Sequence, residues 1–192
     1  MGPSVPFHPC DAEESHVTLY LYEITPDATD AAAVSQLLKT LDAEIAGGGG
    51  ELIEAQVTAQ RRRVFAIAEF GQDAHALDAT QLATATVSGP HQVRLVGADL
   101  SDLKAARPQA GYLVEWDLPA ELDMDSYLAR KKANAPKYAD VPEVQFLRTY
   151  VREDMDKCLC FYDAPDEAAV RRARDAVSTP IDRLYGLDGP LT

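Results

Sequence analysis

Histidine is absent from the second half of this chain: all four, His8, His16, His75 and His91, come before residue 99. The common catalytic signatures are missing too. There is no HExxH pair, no Walker loop, no dinucleotide fingerprint and no nucleophile elbow. No apolar run approaches the ~20 residues of a membrane span. The first fifteen residues, MGPSVPFHPCDAEES, lack a basic segment followed by an apolar one, so no signal peptide is expected there. Basic residues are scarce. Residues 1–98 carry 5 basic and 13 acidic side chains, residues 99–192 carry 13 and 18, and the net charge is −13. Both halves are acidic, which argues against a nucleic-acid partner. Three cysteines, an odd number, argue against a disulfide framework and for a reducing cytoplasm. The expected partner is a small molecule, with no nucleic acid or membrane, and the chain is expected as monomer or homodimer.

What is present is a pattern that occurs twice. Val144–Val151 and Cys158–Tyr162 are β-rich runs flanking the polar stretch Arg152–Lys157, and read as a hairpin. Glu51–Thr58 and Val64–Phe70 flank Gln60–Arg63 in the same way. Adding 94 to each number carries the earlier hairpin onto the later one without a gap: Leu52 falls on Phe146, Ile53 on Leu147, Val57 on Val151, Phe65 on Leu159 and Ile67 on Phe161. The same offset carries Leu19 to Leu113 and Glu23 to Asp117. This spacing predicts two copies of one unit.

In order, residues 1–15 read as a tail and His16–Ile24 as a strand. Asp30–Ala46 is a helix with Val34, Leu37, Leu38, Leu41 and Ile45 on one face. Gly47–Gly50 follows a helix and precedes a strand, so it reads as an αβ loop rather than a phosphate cradle. After the first hairpin come a weaker helix over Asp73–Thr86 and a strand over His91–Val96. The order βαββαβ is that of the ferredoxin-like plait. Residues 99–110 read as a linker with a short helical piece. The order then repeats through Tyr112–Asp117, a helix over Asp123–Ala135, the second hairpin, a helix over Pro165–Val177 and a strand over Pro180–Leu187. Two domains are expected, residues 16–98 and 111–192. In the last helix, Arg171, Arg172 and Arg174 are expected outside.

Period two sorts the strands into faces. Ile53, Ala55 and Val57 are expected under helices, as are Leu147, Thr149 and Val151. Phe146, Arg148, Tyr150 and Arg152 then fall on the open sheet face. Two open faces stacked together would bury the aromatics and leave a cleft, as in a dimeric α+β barrel built within one chain. Glu115 is expected on the same open face, within reach of Arg148, either as a buried ion pair or as a ligand-reading pair. Cys158 and Cys160 share one strand face and read as buried core thiols or as soft-metal ligands.

YLVEWDLP (Tyr112–Pro119), VQFLRTYV (Val144–Val151), CLCFYDAPDEAAVRRA (Cys158–Ala173) and TPIDRL (Thr179–Leu184) resemble the bacterial "domain of unknown function 4242" family. Phe146, Thr149, Tyr150, Cys160 and Ala164-Pro165 carry that resemblance most closely. It implies a ferredoxin-like fold and, from the family's structurally known type, nickel binding. Nickel favours imidazole, so the absence of histidine from residues 99–192 predicts weaker nickel binding than in histidine-bearing relatives. The candidate ligand-binding set is Glu115, Phe146, Arg148, Tyr150, Arg152 and Cys160. Three function classes fit: a small-ligand or metal-binding protein; a cofactor-free cyclase, isomerase or monooxygenase using the cleft; or an assembly protein without a pocket.

Overall fold

The computed structural model describes residues 17–71, 76–77, 82–106 and 108–189. Its first half contains β1 (Thr18–Pro26), α1 (Ala31–Gly47), β2 (Gly50–Val57), β3 (Val64–Phe70) and β4 (Ala85–Val96). A connecting helix α2 (Leu100–Ala106) leads to β5 (Tyr112–Asp117), α3 (Met124–Asn134), β6 (Gln145–Arg152), β7 (Lys157–Asp163), α4 (Glu167–Ala176) and β8 (Arg183–Gly186). Half of the helix expected over Asp73–Thr86 lies outside the described residues; of the rest, Ala76, Leu77 and Leu82 are not helical, Ala83-Thr84 form a turn and Ala85-Thr86 belong to β4. The final strand is shorter than expected.

Local chemistry explains the boundaries. Asp30, Asp123 and Asp166 cap α1, α3 and α4, each accepting a bond from the backbone N–H three residues on. The glycine run ends α1, and Gly49, at φ 80°, turns the chain left-handed into β2. The apolar stripe of α1 buries Val34, Leu37, Leu41 and Ile45 against the first-half strands.

The strands form one antiparallel sheet in the order β2-β3-β1-β4-β6-β7-β5-β8. Each half has the ferredoxin-like order, and β4 pairs with β6 between them over four residues, Val93–Val96 against Thr149–Arg152. The sheet curls round until its edges meet. Thr58 bridges Leu187, and the Asp188 N–H donates to the Val57 carbonyl at 2.8 Å. Leu19, Leu21, Phe65, Ile67, Leu113, Tyr150, Leu159 and Phe161 from both halves form one core inside it. Separate cores lie outside, under the helices of each half. The architecture is therefore an α+β barrel in which the four-stranded halves of one sheet face each other.

One face assignment needs correction. A β-bulge lies between Leu52 and Glu54, and another between Phe146 and Arg148. These are the same position at the offset of 94. Each bulge inserts one residue and flips the pattern before it. Ile53 and Leu147 therefore contribute to the interior core, whereas Phe146 packs under the helices against Tyr138 and Tyr162. Strict alternation placed these three on the opposite faces.

Because both halves share the interior core, unfolding should be one transition. Phe161→Ala should cost about 3–5 kcal/mol. Urea curves followed by fluorescence of Trp116, in the second half, and by far-UV circular dichroism should shift together. Two separated transitions would contradict the shared core.

Candidate functional site

At the middle of the barrel, Arg148 on β6 meets Glu54 on β2. The two positions are equivalent at the offset of 94, so the barrel brings matching sites of its halves together and fills them with opposite charges. Arg148 Nε donates to Glu54 Oε1 at 2.8 Å, and Nη2 donates to Oε2. The Tyr150 hydroxyl and Gln56 Nε2 also donate to Glu54. The guanidinium lies over the Phe161 ring, 4.7 Å from its centroid. Burial alone would lower the Arg148 pKa, but the bonds to Glu54 outweigh it and raise it. Burial and the Glu54 charge both push the Tyr150 phenol well up, so it acts as a donor.

This group forms one wall of a cavity of about 560 Å³. The cavity runs along the free edge of β2, between α1 and the connecting residues Pro108–Ala110, and reaches Asp188 and Gly189. Its position follows from an asymmetry. The offset of 94 turns the pairing of Val93 with Arg152 into that of Leu187 with Thr58. The first seam zips over four residues, whereas the second closes only at Thr58 and Leu187. The cavity lies along the edge left unzipped. Arg148 is 1% exposed, lines the cavity, and its Nη1 has no hydrogen-bond partner.

Glu115 does not join this group, which corrects the expected pairing with Arg148. It is fully buried near another end of the interior, with Arg183 at 2.7 Å and Lys157 at 3.3 Å. Lys157 also holds Glu23 at 3.1 Å, and Arg63 holds Glu23 at 2.6 Å. Arg63 and Lys157 are again equivalent positions, so this network ties the halves together. Burial would lower the Lys157 pKa, but Glu115 and Glu23 raise it. Arg63, on the turn between β2 and β3, reaches in to Glu23 while part of its side chain stays exposed. Arg152 pairs with Asp154 and Asp156 at the turn after β6.

Phe146 and Cys160 lie on the other side of the sheet, under the second-half helices. Cys160 Sγ accepts from the Thr149 hydroxyl at 3.2 Å and from Arg174 Nη1 at 3.3 Å. The hydrogen bond from Cys158, more than its charged neighbours, holds the Cys160 thiol well below its usual range, while burial pushes Cys158 up. Arg174, expected outside, is 1% exposed. A four-residue step from Val170 puts it on the inner face of α4, beside Ala173.

With the geometry established, the chain can be set beside known proteins. Residues 112–186 match the family model described as nickel responsive protein SCO4226-like. The match covers the half that carries β5–β8. No curated protein matches the chain in sequence. A crystal structure provisionally described as a chlorite dismutase shares 15% identity at a TM-score of 0.51, over 90% of this chain and 95% of that one. At that identity the likeness shows a common fold. A microcompartment protein from Desulfitobacterium hafniense DCB aligns over 91% of this chain and 95% of its own at 12% identity, with a TM-score of 0.28.

Among the described residues the donors do not fit nickel. Residues 99–192 supply no imidazole, and no group of three or more His, Cys, Asp or Glu side chains gathers among the described residues. No helix of the described residues is long and apolar enough to cross a membrane.

The sequence reading missed Glu54 and Arg174. Glu54 had a signal: subtracting 94 from Arg148 lands on it. Arg174 had none beyond the helical step from Val170.

Two predictions follow from this geometry. Arg148→Ala should cost about 3 kcal/mol, because it strips the largely buried Glu54 carboxylate, 13% exposed, of its counter-charge. The double change Glu54→Gln/Arg148→Met should recover most of that loss in denaturant melts; no recovery would mean that the pair is not the cause. A pH effect centres on His91, which contacts Ser88 Oγ at 2.8 Å. Burial, then the Arg152 charge, lowers its pKa from 6.5. A lowered folded pKa means that the unfolded chain binds the proton more readily. The resulting stability is present above about pH 6.5 and is lost as pH falls through the folded pKa. His91→Gln should therefore reduce the drop in urea midpoint between pH 7.5 and pH 5.5. An unchanged drop would exclude His91 as a source.

Proposed function

We propose that this protein binds a small polar molecule in the groove along β2, with Arg148 as its anchor. One observation carries the reading: a fully buried guanidinium with an unused Nη1 donor lines a cavity of about 560 Å³. Buried donors without partners are costly, and a ligand oxygen would relieve that cost. The cavity size is within the range of small-molecule sites.

Charge narrows the ligand. Glu54 already balances Arg148, Asp188 is paired with Arg61 and Glu51 with Lys104, and Asp42 offsets Lys39, so the groove has no spare positive charge. A multiply charged anion is disfavoured. A carbonyl, enolate or single carboxylate oxygen suits Nη1, with the Gln56 and Gln109 amides available for further polar contacts. The two-unit pattern supports a view of the chain as a fused pair of units, in which the unzipped seam became the binding side. The apolar outer surface gives the assembly reading little support, since Val17 is the one large hydrophobic residue exposed among the described residues.

The test is a thermal-shift and calorimetric screen of singly charged carboxylic acids and enolisable ketones. A binder should lose at least tenfold in affinity in the Glu54→Gln/Arg148→Met double variant and in Ser35→Trp, which fills the groove lip, with melting temperatures close to wild type. Binders unaffected by both variants would place the site elsewhere and overturn the proposal.

A further inference from the structure

Arg174 presents a problem in charge balance. Its Nη1 donates to Cys160 Sγ at 3.3 Å and to the Tyr162 hydroxyl at 3.2 Å, its Nη2 donates to the Pro180 carbonyl, and its Nε has no partner. None of these partners is a carboxylate. A guanidinium cannot shed its proton in a protein, and a buried charge needs a counter-charge. Tyr162 is itself fully buried. The one neighbour able to supply the negative charge is Cys160, which also accepts from Thr149. A thiolate at Cys160 would supply the missing counter-charge, and the thiolate is the form of cysteine that binds metal.

A second sulfur is next to it. Cys158 Sγ lies 3.9 Å from Cys160 Sγ, on the same strand face and wholly buried. Two metal–sulfur bonds of about 2.3 Å set in line span about 4.6 Å, so a small rotation of either thiol opens the pair to a two-coordinate ion. We propose that Cys158 and Cys160, with Arg174 as counter-ion, form a two-thiolate site for a soft monovalent cation of the copper(I) class. This site is independent of the groove along β2, on the opposite side of the sheet.

Charge decides the class of metal. Before binding, a Cys160 thiolate and Arg174 sum to zero beside a neutral Cys158 thiol, with the partly buried Lys131 ammonium as a further positive charge nearby. On binding, Cys158 releases one proton and the metal brings one positive charge. Two thiolates, one monovalent cation and Arg174 again sum to zero. A divalent ion in the same place would leave an uncompensated positive charge in a buried core. It would also lack further ligands, since no third His, Cys, Asp or Glu joins the pair among the described residues, and structural zinc takes four. Thiolates select soft ions such as copper(I). A small cavity of about 30 Å³, lined in part by Trp116, Tyr127, Tyr138 and Arg174, offers an approach beside the guanidinium.

The experiment is an anaerobic titration of the tag-free full chain, in a Cys10→Ser background, with copper(I) held by bicinchoninate. One equivalent should transfer from the chelator to the protein, and copper K-edge absorption should show two sulfur neighbours. Cys158→Ala, which leaves the Cys160–Arg174 pair intact, should weaken binding at least 100-fold while retaining the wild-type circular dichroism spectrum. Three results would overturn the proposal: no transfer of copper(I) to wild type; equal transfer to Cys158→Ala; or one equivalent of nickel(II) or zinc(II) retained by wild type and lost in Cys158→Ala.

Discussion

The contact between Arg148 and Glu54 sets the terms for the rest of the barrel. Two sheets can face each other only if the polar groups on their inner faces are satisfied there. A symmetric pair of identical chains would bring two like residues together at this point. Within one chain the two positions can differ, and here they are an acid and a base. Their charges cancel inside the core, Tyr150 and Gln56 complete the carboxylate's bonds, and the aromatic face of Phe161 covers the guanidinium. The pair thus has a double effect. It joins the halves across the interior, and it leaves one strong donor beside a groove.

The same freedom to diverge explains where the groove lies. The β4–β6 seam is laced by a regular ladder, whereas the seam between β2 and β8 holds by a bridge at Thr58 and Leu187. β8 ends at Gly186, and beyond the bridge at Leu187 no further ladder forms with β2 among the described residues. Arg61, on the turn after β2, reaches across to Asp188 and holds the closed end of that seam.

The helical side of the second half follows another logic. There a buried arginine sits among tyrosines and cysteines, with no acid to meet it. At one end of the barrel the buried Glu23 and Glu115 meet Lys157 and the partly exposed Arg63 and Arg183, with Asp117 at the surface, an ordinary balance of charges. The contrast between these two burials is the basis for proposing a chemical role for Cys160 beyond packing.

The strand order, the two hairpins, the capped helices and the pairing of the halves were legible in the residues, because period and turn chemistry are local and the offset of 94 repeats them. So was the inner position of Glu115 and Tyr150, since a period-two pattern carries that far along a strand. The faces of Phe146, Ile53 and Leu147 were not, because a single-residue bulge reverses alternation and leaves no mark in composition. The partners of Arg148, Glu115 and Arg174 were decided only in three dimensions. Sequence fixes which charges exist on each face; closure of the barrel decides which of them meet, because a buried charge pairs with the nearest counter-charge in space and not with the nearest along the chain.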